Sequence, residues 1–381
     1  MEEDKTIVVD IGSANTRVGF AGEEAPKHIV PTILGDTKEN PKVLLYQVVK
    51  MRDIYVGDEA IYNSGLLDLW SPVQRGVVTN WNDMEKYLDY ILKVLFHDVK
   101  ISDYNFLFSE PMFRSKSYSR KSREYFCQIM YEKFNVPNFS VLNSNFLAYN
   151  ANGRTSCVTV LCGDSITSVL PLHNGYVLTS GAKKLDLGGR DVTCYLRKLL
   201  NKHSPGFQTI NEYLELNEIK EKYCYVSTDD TSKSAVENIT HRFDNGKEIT
   251  IGKEMYECGE LLFTPYVNGF EIDGISQTIY DSISTCEGNI PQHLYYNVIL
   301  SGGSMQLKGF AKRIENELLK LTNNKMKINV KADKDQVESV WIGGSIMGSC
   351  TSFNNFIVSN KEYKENGTEA INAKGQPIYA K

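Results

Sequence analysis

Two segments of this chain repeat one order of residue types. Val8-Val9-Asp10-Ile11-Gly12-Ser13-Ala14-Asn15-Thr16-Arg17 and Val160-Leu161-Cys162-Gly163-Asp164-Ser165-Ile166-Thr167 each run from apolar β-prone residues, through Gly with small or hydroxyl residues, into a second β-prone run. That order predicts a strand, a tight turn and a return strand whose backbone N–H groups face an anion. Because the pattern occurs only twice, it predicts two related halves rather than a solenoid. One difference between the copies bears on function: Asp10 stands two residues before its Gly, and Leu161 stands there in the second copy.

A chain of 381 residues exceeds a comfortable single core, so two domains are expected. The formal net charge of −5 argues against a broad nucleic-acid face, and no nucleic-acid partner is expected. Arg114–Arg123 is the one basic cluster, and it reads as a solvated loop or a helix start. The eight cysteines are scattered without any C-x-x-C pair, which argues against a metal-thiolate site. Cys157, Cys162 and Cys224 sit among apolar neighbours and read as small core residues in a reducing compartment. An acidic start (Glu2, Glu3, Asp4) predicts no secretory leader, and no segment approaches the ~18 apolar residues of a membrane span. The expected location is the cytoplasm, with the nucleus as the alternative.

Along the chain, residues 41–49 read as a strand or an apolar loop. Met84, Leu88, Ile91, Leu92 and Leu95 have helical spacing, with Asn82 or Asp83 as the expected cap. Phe106-Leu107-Phe108 predicts a buried strand, and Tyr125, Phe126, Ile129, Met130 and Phe134 a second helical stripe. Helices are expected over 191–200 and 210–225, then a polar, turn-rich stretch over 227–247 ending in Asp244-Asn245-Gly246. Val298-Ile299-Leu300 runs into Ser301-Gly302-Gly303 and a helix with Phe310, Ile314, Leu318 and Leu321 on one face. Val340-Trp341-Ile342-Gly343-Gly344 opens the last helical stretch. Strands interleaved with helices mean α/β architecture.

A phosphate chain with Mg²⁺ needs close backbone donors, one cation, and carboxylates that reach the metal, usually through its waters. Segment 10–17 supplies Gly12 and Ser13 for the turn, Arg17 for charge and Asp10 for the metal shell; segment 163–167 adds Gly163, Asp164 and the hydroxyls of Ser165 and Thr167. Either hairpin alone reads as an ordinary turn capped by its Asp, and the pair together favours one shared ligand. Glu221 in Lys220-Glu221-Lys222 offers a ribose contact, although taken alone the run reads better as an exposed charged helix face. Gly302-Gly303 would let a backbone approach a nucleoside. No G-x-x-x-x-G-K-[ST] sequence is present, so a P-loop is excluded.

These residues carry a family resemblance. The first hairpin with Val18-Gly19-Phe20-Ala21-Gly22 resembles the first phosphate loop of actins. Similar in turn are Tyr55-Val56-Gly57-Asp58-Glu59-Ala60, Val78-Thr79-Asn80-Trp81 with Asp83-Met84-Glu85-Lys86, and Leu185-Asp186-Leu187-Gly188-Gly189-Arg190-Asp191. So are Lys220-Glu221-Lys222 with Cys224-Tyr225-Val226, Ile249-Thr250-Ile251-Gly252, Leu300-Ser301-Gly302-Gly303 and Val340-Trp341-Ile342-Gly343-Gly344-Ser345-Ile346. The resemblance runs in order from residue 6 to about residue 363, to a divergent actin-like or actin-related protein.

It implies an α/β, actin-like ATPase fold: two ribonuclease-H-like α/β domains flanking a nucleotide cleft, each with a smaller inserted subdomain. The implied outer domain is 1–150 plus 340–381 with an insert at about 32–71, and the inner domain 151–339 with an insert at about 188–270. ATP or ADP with Mg²⁺ (or Ca²⁺) would be held by Asp10, Gly12, Ser13, Ala14, Asn15, Arg17, Gly163, Asp164 and Ser165 on the phosphate side. Asp10 and Asp164 would reach the metal through water. Lys220, Glu221, Gly302, Gly303, Ser304 and Leu307 would serve the ribose and base.

The departures concentrate where the attacking water sits in actins, among Gln, Asp and His; the matching positions here are Asn143, Leu161 and Ser168. Leu161 cannot orient a water and Ser168 is a far poorer base than His, so the chain is expected to be at most a slow ATPase. Arg17 stands where actins carry Lys, Leu307 where they carry Tyr, and Val337 where they carry a further Lys. The stretch Gly35–Tyr55 is longer than actin's filament-contact loop and rich in charge (Lys38, Glu39, Lys42, Lys50, Arg52), the apolar plug is interrupted by Asn268, and the tail after Tyr363 is unlike actin's. Tyr149, Gly175 and Tyr176 persist from the partner-binding groove. The expectation is a structural subunit of a cytoskeletal or other assembly, partnered by actin-family subunits or actin-binding proteins; the alternative is a filament-forming ATPase with a rearranged water-positioning site. A sugar kinase and a heat-shock-type chaperone are disfavoured, the first by the continuity of the resemblance and the second by length.

Overall fold

The computed structural model describes residues 5–37, 52, 54–112, 115–202, 210–228, 236–243, 246, 248–332, 336–374 and 379–380. The expected strand at 41–49, most of the loop before Tyr55, and Asp244-Asn245 of the expected turn lie outside these residues. The chain divides into two compact units, residues 1–154 with 338–379, and 155–337 with 380–381. Among the described residues, no helix is long and apolar enough to cross a membrane.

The first unit is built on one mixed sheet. Its strands lie in the order Val358–Ser359, Asn138–Asn143, Asn105–Glu110, Thr6–Ile11, Asn15–Phe20, His28–Pro31. Thr6–Ile11 is antiparallel to its hairpin partner Asn15–Phe20 and parallel to Asn105–Glu110, which is parallel to Asn138–Asn143. The second unit repeats this plan: Val330–Ala332, Val298–Ser301, Ser156–Cys162, Thr167–His173, Tyr176–Leu178, with the first three parallel and the last two returning antiparallel. Each unit also carries a smaller sheet. Leu34–Thr37 pairs with Tyr55–Val56 and Leu67–Trp70 in the first, and Ile239–Arg242 with Glu248–Ile251 in the second.

Apolar alternation places the cores. Phe106, Phe108, Phe139 and Val141 pack with Met84, Tyr87 and Leu88 of the helix Trp81–Asp89 and with Phe126 and Cys127 of the helix Lys116–Gln128. In the second unit Val158, Val160 and Cys162 pack with Leu196, Leu216, Ile279, Phe310, Ile314 and Leu318. Each large apolar side chain fully withdrawn from water contributes about 1.5–3 kcal/mol. Cys157, Cys162 and Cys224 are buried, as their neighbours predicted.

Local chemistry corrects one expectation. The first long helix is capped not by Asn82 or Asp83 but by Asn80, whose side chain accepts from the N–H groups of Asn82 and Asp83 at 2.9 and 3.4 Å. An N-cap residue must itself be extended, and Asn80 is (φ −144°, ψ 116°), whereas residues 82 and 83 are already helical. The basic cluster is a helix start over its described residues: Ser115 caps Lys116–Gln128, and Arg114 lies outside the described residues.

The C-terminal helix Asn360–Asn366 is fixed by a reciprocal cap. Ser359 Oγ accepts from Glu362 N–H, and the Glu362 carboxylate accepts from Ser359 N–H and pairs with Lys374 at 2.7 Å. The Lys374 ammonium and the Ser359 N–H hold the Glu362 carboxyl down to about 2, from an ordinary 4.5. A depressed acid stabilises the fold above its unfolded value and loses that contribution as pH falls through its folded value. Glu362→Gln is therefore expected to destabilise the fold at pH 6 by no more than about 1 kcal/mol for so solvated a pair, read as a lower melting temperature. The gap to the parent should close as the melts are taken from about pH 4.5 down toward pH 2.

Candidate functional site

The two hairpin turns have the same register. In the first, Ile11 faces Thr16, Asp10 faces Arg17, and Gly12 N–H donates to the Asn15 carbonyl at 3.0 Å. In the second, Cys162 faces Thr167, Leu161 faces Ser168, and Gly163 N–H donates to the Ile166 carbonyl at 3.0 Å. Asp10–Arg17 and Leu161–Ser168 are thus equivalent rungs, one charged and one without an ionisable group.

On the first unit, Asp10 is buried at the end of its strand. Ser109 Oγ, from the neighbouring parallel strand, donates to Asp10 Oδ1 at 2.5 Å, and Arg17 Nη1 lies 3.8 Å from Oδ2. Burial pushes the Asp10 carboxyl above its ordinary value, and Arg17 and the Ser109 hydroxyl only partly oppose this. Arg17 Nε is buried and makes no hydrogen bond among the described residues. A buried donor and a poorly compensated carboxylate, two residues from a backbone turn, suit a phosphate oxygen and a hydrated divalent cation respectively. Ser13 and Asn15 are partly exposed in this turn and Ala14 is exposed.

On the second unit, three turns converge on Gly163-Asp164. Ser304 Oγ and Gly189 N–H both donate to the Gly163 carbonyl, at 2.8 and 3.0 Å. Arg190 N–H donates to the Asp164 carbonyl at 2.6 Å, and its guanidinium lies 2.9 Å from the Asp164 carboxylate. Gly302 has φ +96°, and a Cβ there would lie 2.4 Å from the Cys162 carbonyl oxygen, so only Gly allows this approach. Lys220 Nζ is buried and donates to Asn217 Oδ1 at 2.6 Å, and more weakly to the Gly189 carbonyl at 3.4 Å. Burial lowers the Lys220 pKa, against the pull of Glu221 and Asp164. Asn217 Nδ2 in turn donates to Glu221 Oε1 at 2.8 Å. Gly163, Asp164, Lys220, Gly302 and Ser304 are thereby linked through a few hydrogen bonds and close approaches. Ser165 is buried, Gly303 exposed, and Leu307 is packed in the core of its unit.

Of the three positions that depart from actins, Asn143 has an identifiable local role. Asn143 ends the strand Asn138–Asn143 and caps the helix Ser144–Ala151: its Oδ1 accepts from Asn145 and Phe146 N–H at 3.0 and 3.3 Å. Its carboxamide oxygen is therefore committed to the helix. Asn143→Ala should cost about 1 kcal/mol in a thermal melt, while Asn143→Asp, itself a good N-cap, should cost much less. Leu161 is half-buried, Ser168 is fully buried, and Ser301, facing Leu161 in the parallel register, is buried with its Oγ unpaired among the described residues.

Ser109, Arg190 and Asn217 were not foreseen as site residues. Asn217 stands three and four residues before Lys220 and Glu221, a spacing that places all three on one helix face. Ser109 is 99 residues from Asp10, and no local pattern signals it. Of the groove residues, Tyr149 is half-buried on the helix Ser144–Ala151 of the first unit. Gly175 lies in a turn of the second and Tyr176 opens the strand Tyr176–Leu178 that follows it, with Tyr176 48% exposed.

The twofold strand plan and its glycine-turn hairpins define a class of two-unit α/β proteins in which each unit carries the same hairpin. A family model described as Actin matches residues 1–376, and the chain belongs to the actin family. The α/β architecture with its mixed sheets is the actin-like fold, and members of that family generally bind a nucleotide with a divalent cation.

Proposed function

We propose that this protein holds Mg-ATP or Mg-ADP with weak or absent hydrolysis, and serves as a structural subunit of a cytoskeletal or other multiprotein assembly. One observation carries the reading: the rung equivalent to Asp10–Arg17 is Leu161–Ser168 in the second hairpin, so one rung carries charge and the other carries none. Asp10 and Asp164 would hold the cation through water, and the turns at Gly12–Asn15 and Gly163–Ser165 would take the phosphates, with Arg17 and Lys220 as counter-charges. The bound cation supplies charge neutralisation of the phosphates. An anionic ligand would also relieve the buried Lys220, and a cation the buried Asp10.

Catalytic water orientation needs a group that accepts a proton or fixes a lone pair. Leu161 offers neither, and the Asn143 oxygen is already used as a cap. The nucleotide would then act through linkage: a ligand at a thousand times its Kd stabilises the folded state by about 4 kcal/mol. The expected result is a melting temperature raised by Mg-ATP and lowered by EDTA, with no phosphate release on the timescale of binding. Sedimentation with and without Mg-ATP tests the assembly role. Pelleting that depends on ATP turnover would instead support a filament-forming ATPase. Partners of the actin family or actin-binding proteins would dock near Tyr149 and Tyr176, using the exposed ring of Tyr176.

A further inference from the structure

We propose that Ser109 and Ser301 are one carboxylate-holding device built twice, in use in the first unit and idle in the second. The inference deepens the nucleotide-holding reading above by naming the residue that positions a cation-binding carboxylate, and it rests on that reading only for the cation.

The two serines occupy the same place. Each follows three apolar residues, in Phe106-Leu107-Phe108-Ser109 and Val298-Ile299-Leu300-Ser301, on the strand parallel to the first strand of its hairpin. In the first unit Val9 faces Phe108, which sets Ser109 beside Asp10. In the second, Val160 faces Leu300 and Leu161 faces Ser301. Asp10 and Leu161 each stand two residues before the turn glycine, so Asp10–Ser109 and Leu161–Ser301 are the same rung.

Only one copy has something to hold. Ser109 Oγ donates to Asp10 Oδ1 at 2.5 Å. Register brings the two together, because facing residues of neighbouring strands point to one side of the sheet. Ser301 has that register and is fully buried, yet its Oγ is unpaired among the described residues, and the side chain facing it is the isobutyl group of Leu161. Ser140 and Ser276 also bury unpaired hydroxyls, so the orphan alone decides nothing. What sets Ser301 apart is a counterpart that grips a carboxylate.

A buried hydroxyl with no partner costs its desolvation, whereas one bonded to a charge is a net gain. The same substitution should therefore act oppositely at the two serines. The remaining polar groups of the second rung are Ser168, facing Leu161, and Lys184, facing Ser168, whose ammonium pairs with Asp186 at 3.2 Å. Lys184 is the rival holder for a carboxylate introduced at position 161.

The test compares denaturant unfolding of full-chain variants. Ser301→Ala should leave the folding constant of the parent unchanged or raise it. In the Leu161→Asp background the same change should lower it about tenfold, the loss of one hydrogen bond to a charged group. A comparable loss in the parent would mean that the hydroxyl is already in use, and no loss in either background would mean that Lys184 or solvent holds the carboxylate. Either result overturns the inference. For Ser109 the readout is the Mg²⁺ concentration that gives half of the melting-temperature rise produced by ATP. Ser109→Ala should raise that concentration roughly 10- to 100-fold, as loss of a group supporting a metal's carboxylate does, and Ser109→Thr, which keeps the hydroxyl, should restore it. An unchanged Mg²⁺ requirement in Ser109→Ala also overturns the inference. If Mg-ATP leaves the parent melt unmoved, the nucleotide-holding reading falls; the Ser301 comparison needs no ligand and still decides the inference, as it does if Ser109→Ala fails to fold.

Discussion

Leu161→Asp combined with Ser168→His is expected to raise the single-turnover rate of ATP cleavage by about a hundredfold, the lower range of what a positioned acid–base group contributes. The two residues face each other across the second hairpin, so the new carboxylate and imidazole would share one rung and one face of the sheet. Leu161→Asp is close to isosteric at a half-buried position and should be tolerated alone. Ser168→His adds volume at a fully buried one, so the single Leu161→Asp variant serves as the control that keeps the test readable. Asn143 is left unchanged, because replacing it removes a helix cap as well as an amide. The measurement is phosphate release from protein preloaded with Mg-ATP. A double variant no faster than the parent would show that the water-orienting groups are not what the chain lacks.

Gly343→Ala is expected to be the most damaging small substitution in the first unit. The helix Ser339–Ser349 packs on the helix Ser144–Ala151 and on the strands Thr6–Ile11 and Asn105–Glu110. A Cβ at residue 343 would lie 1.7 Å from the Leu147 carbonyl oxygen and 2.5 Å from its carbon. The obstacle is backbone, not a flexible side chain, so relief requires the two helices to separate. Separation would strain the hydrogen bond from Trp341 Nε1 to the Val8 carbonyl, 3.2 Å long between fully buried residues, at the root of the first phosphate hairpin. The expected cost is about 3 kcal/mol or more, the upper end for overpacking. Trp341 fluorescence followed through a thermal melt reports it, since the indole moves from a dry site into water. An unchanged melting temperature would mean that the helix pair is looser than the close approach at Gly343 implies.

Much of the fold was legible because its signals are local. The two hairpins announced themselves through Gly12 and Gly163 between β-prone runs, and the equal register of their rungs needed only the position of each turn. The helix stripes at Met84–Leu88 and Phe310–Leu318 followed from spacing alone, although Asn80 rather than Asn82 proved to be the cap, a matter of which residue keeps extended dihedrals. What stayed hidden depends on distant partners. Ser109 meets Asp10 only because parallel pairing sets Asn105–Glu110 beside Thr6–Ile11. Arg190 meets Asp164 only through the turn that closes over Gly163. The role of Asn143 was half legible: its identity suggested a shortened water-orienting amide, but its place between strand and helix gave it a cap to make.

The central claim is that the nucleotide is held and not consumed. The direct measurement is to load the purified protein with Mg-ATP, remove free ligand, and identify by chromatography the nucleotide released on denaturation after increasing times. Retained nucleotide should remain triphosphate in the parent while the Leu161→Asp, Ser168→His variant accumulates diphosphate. Parent protein that retains no nucleotide, or that converts it as fast as the variant does, would contradict the account.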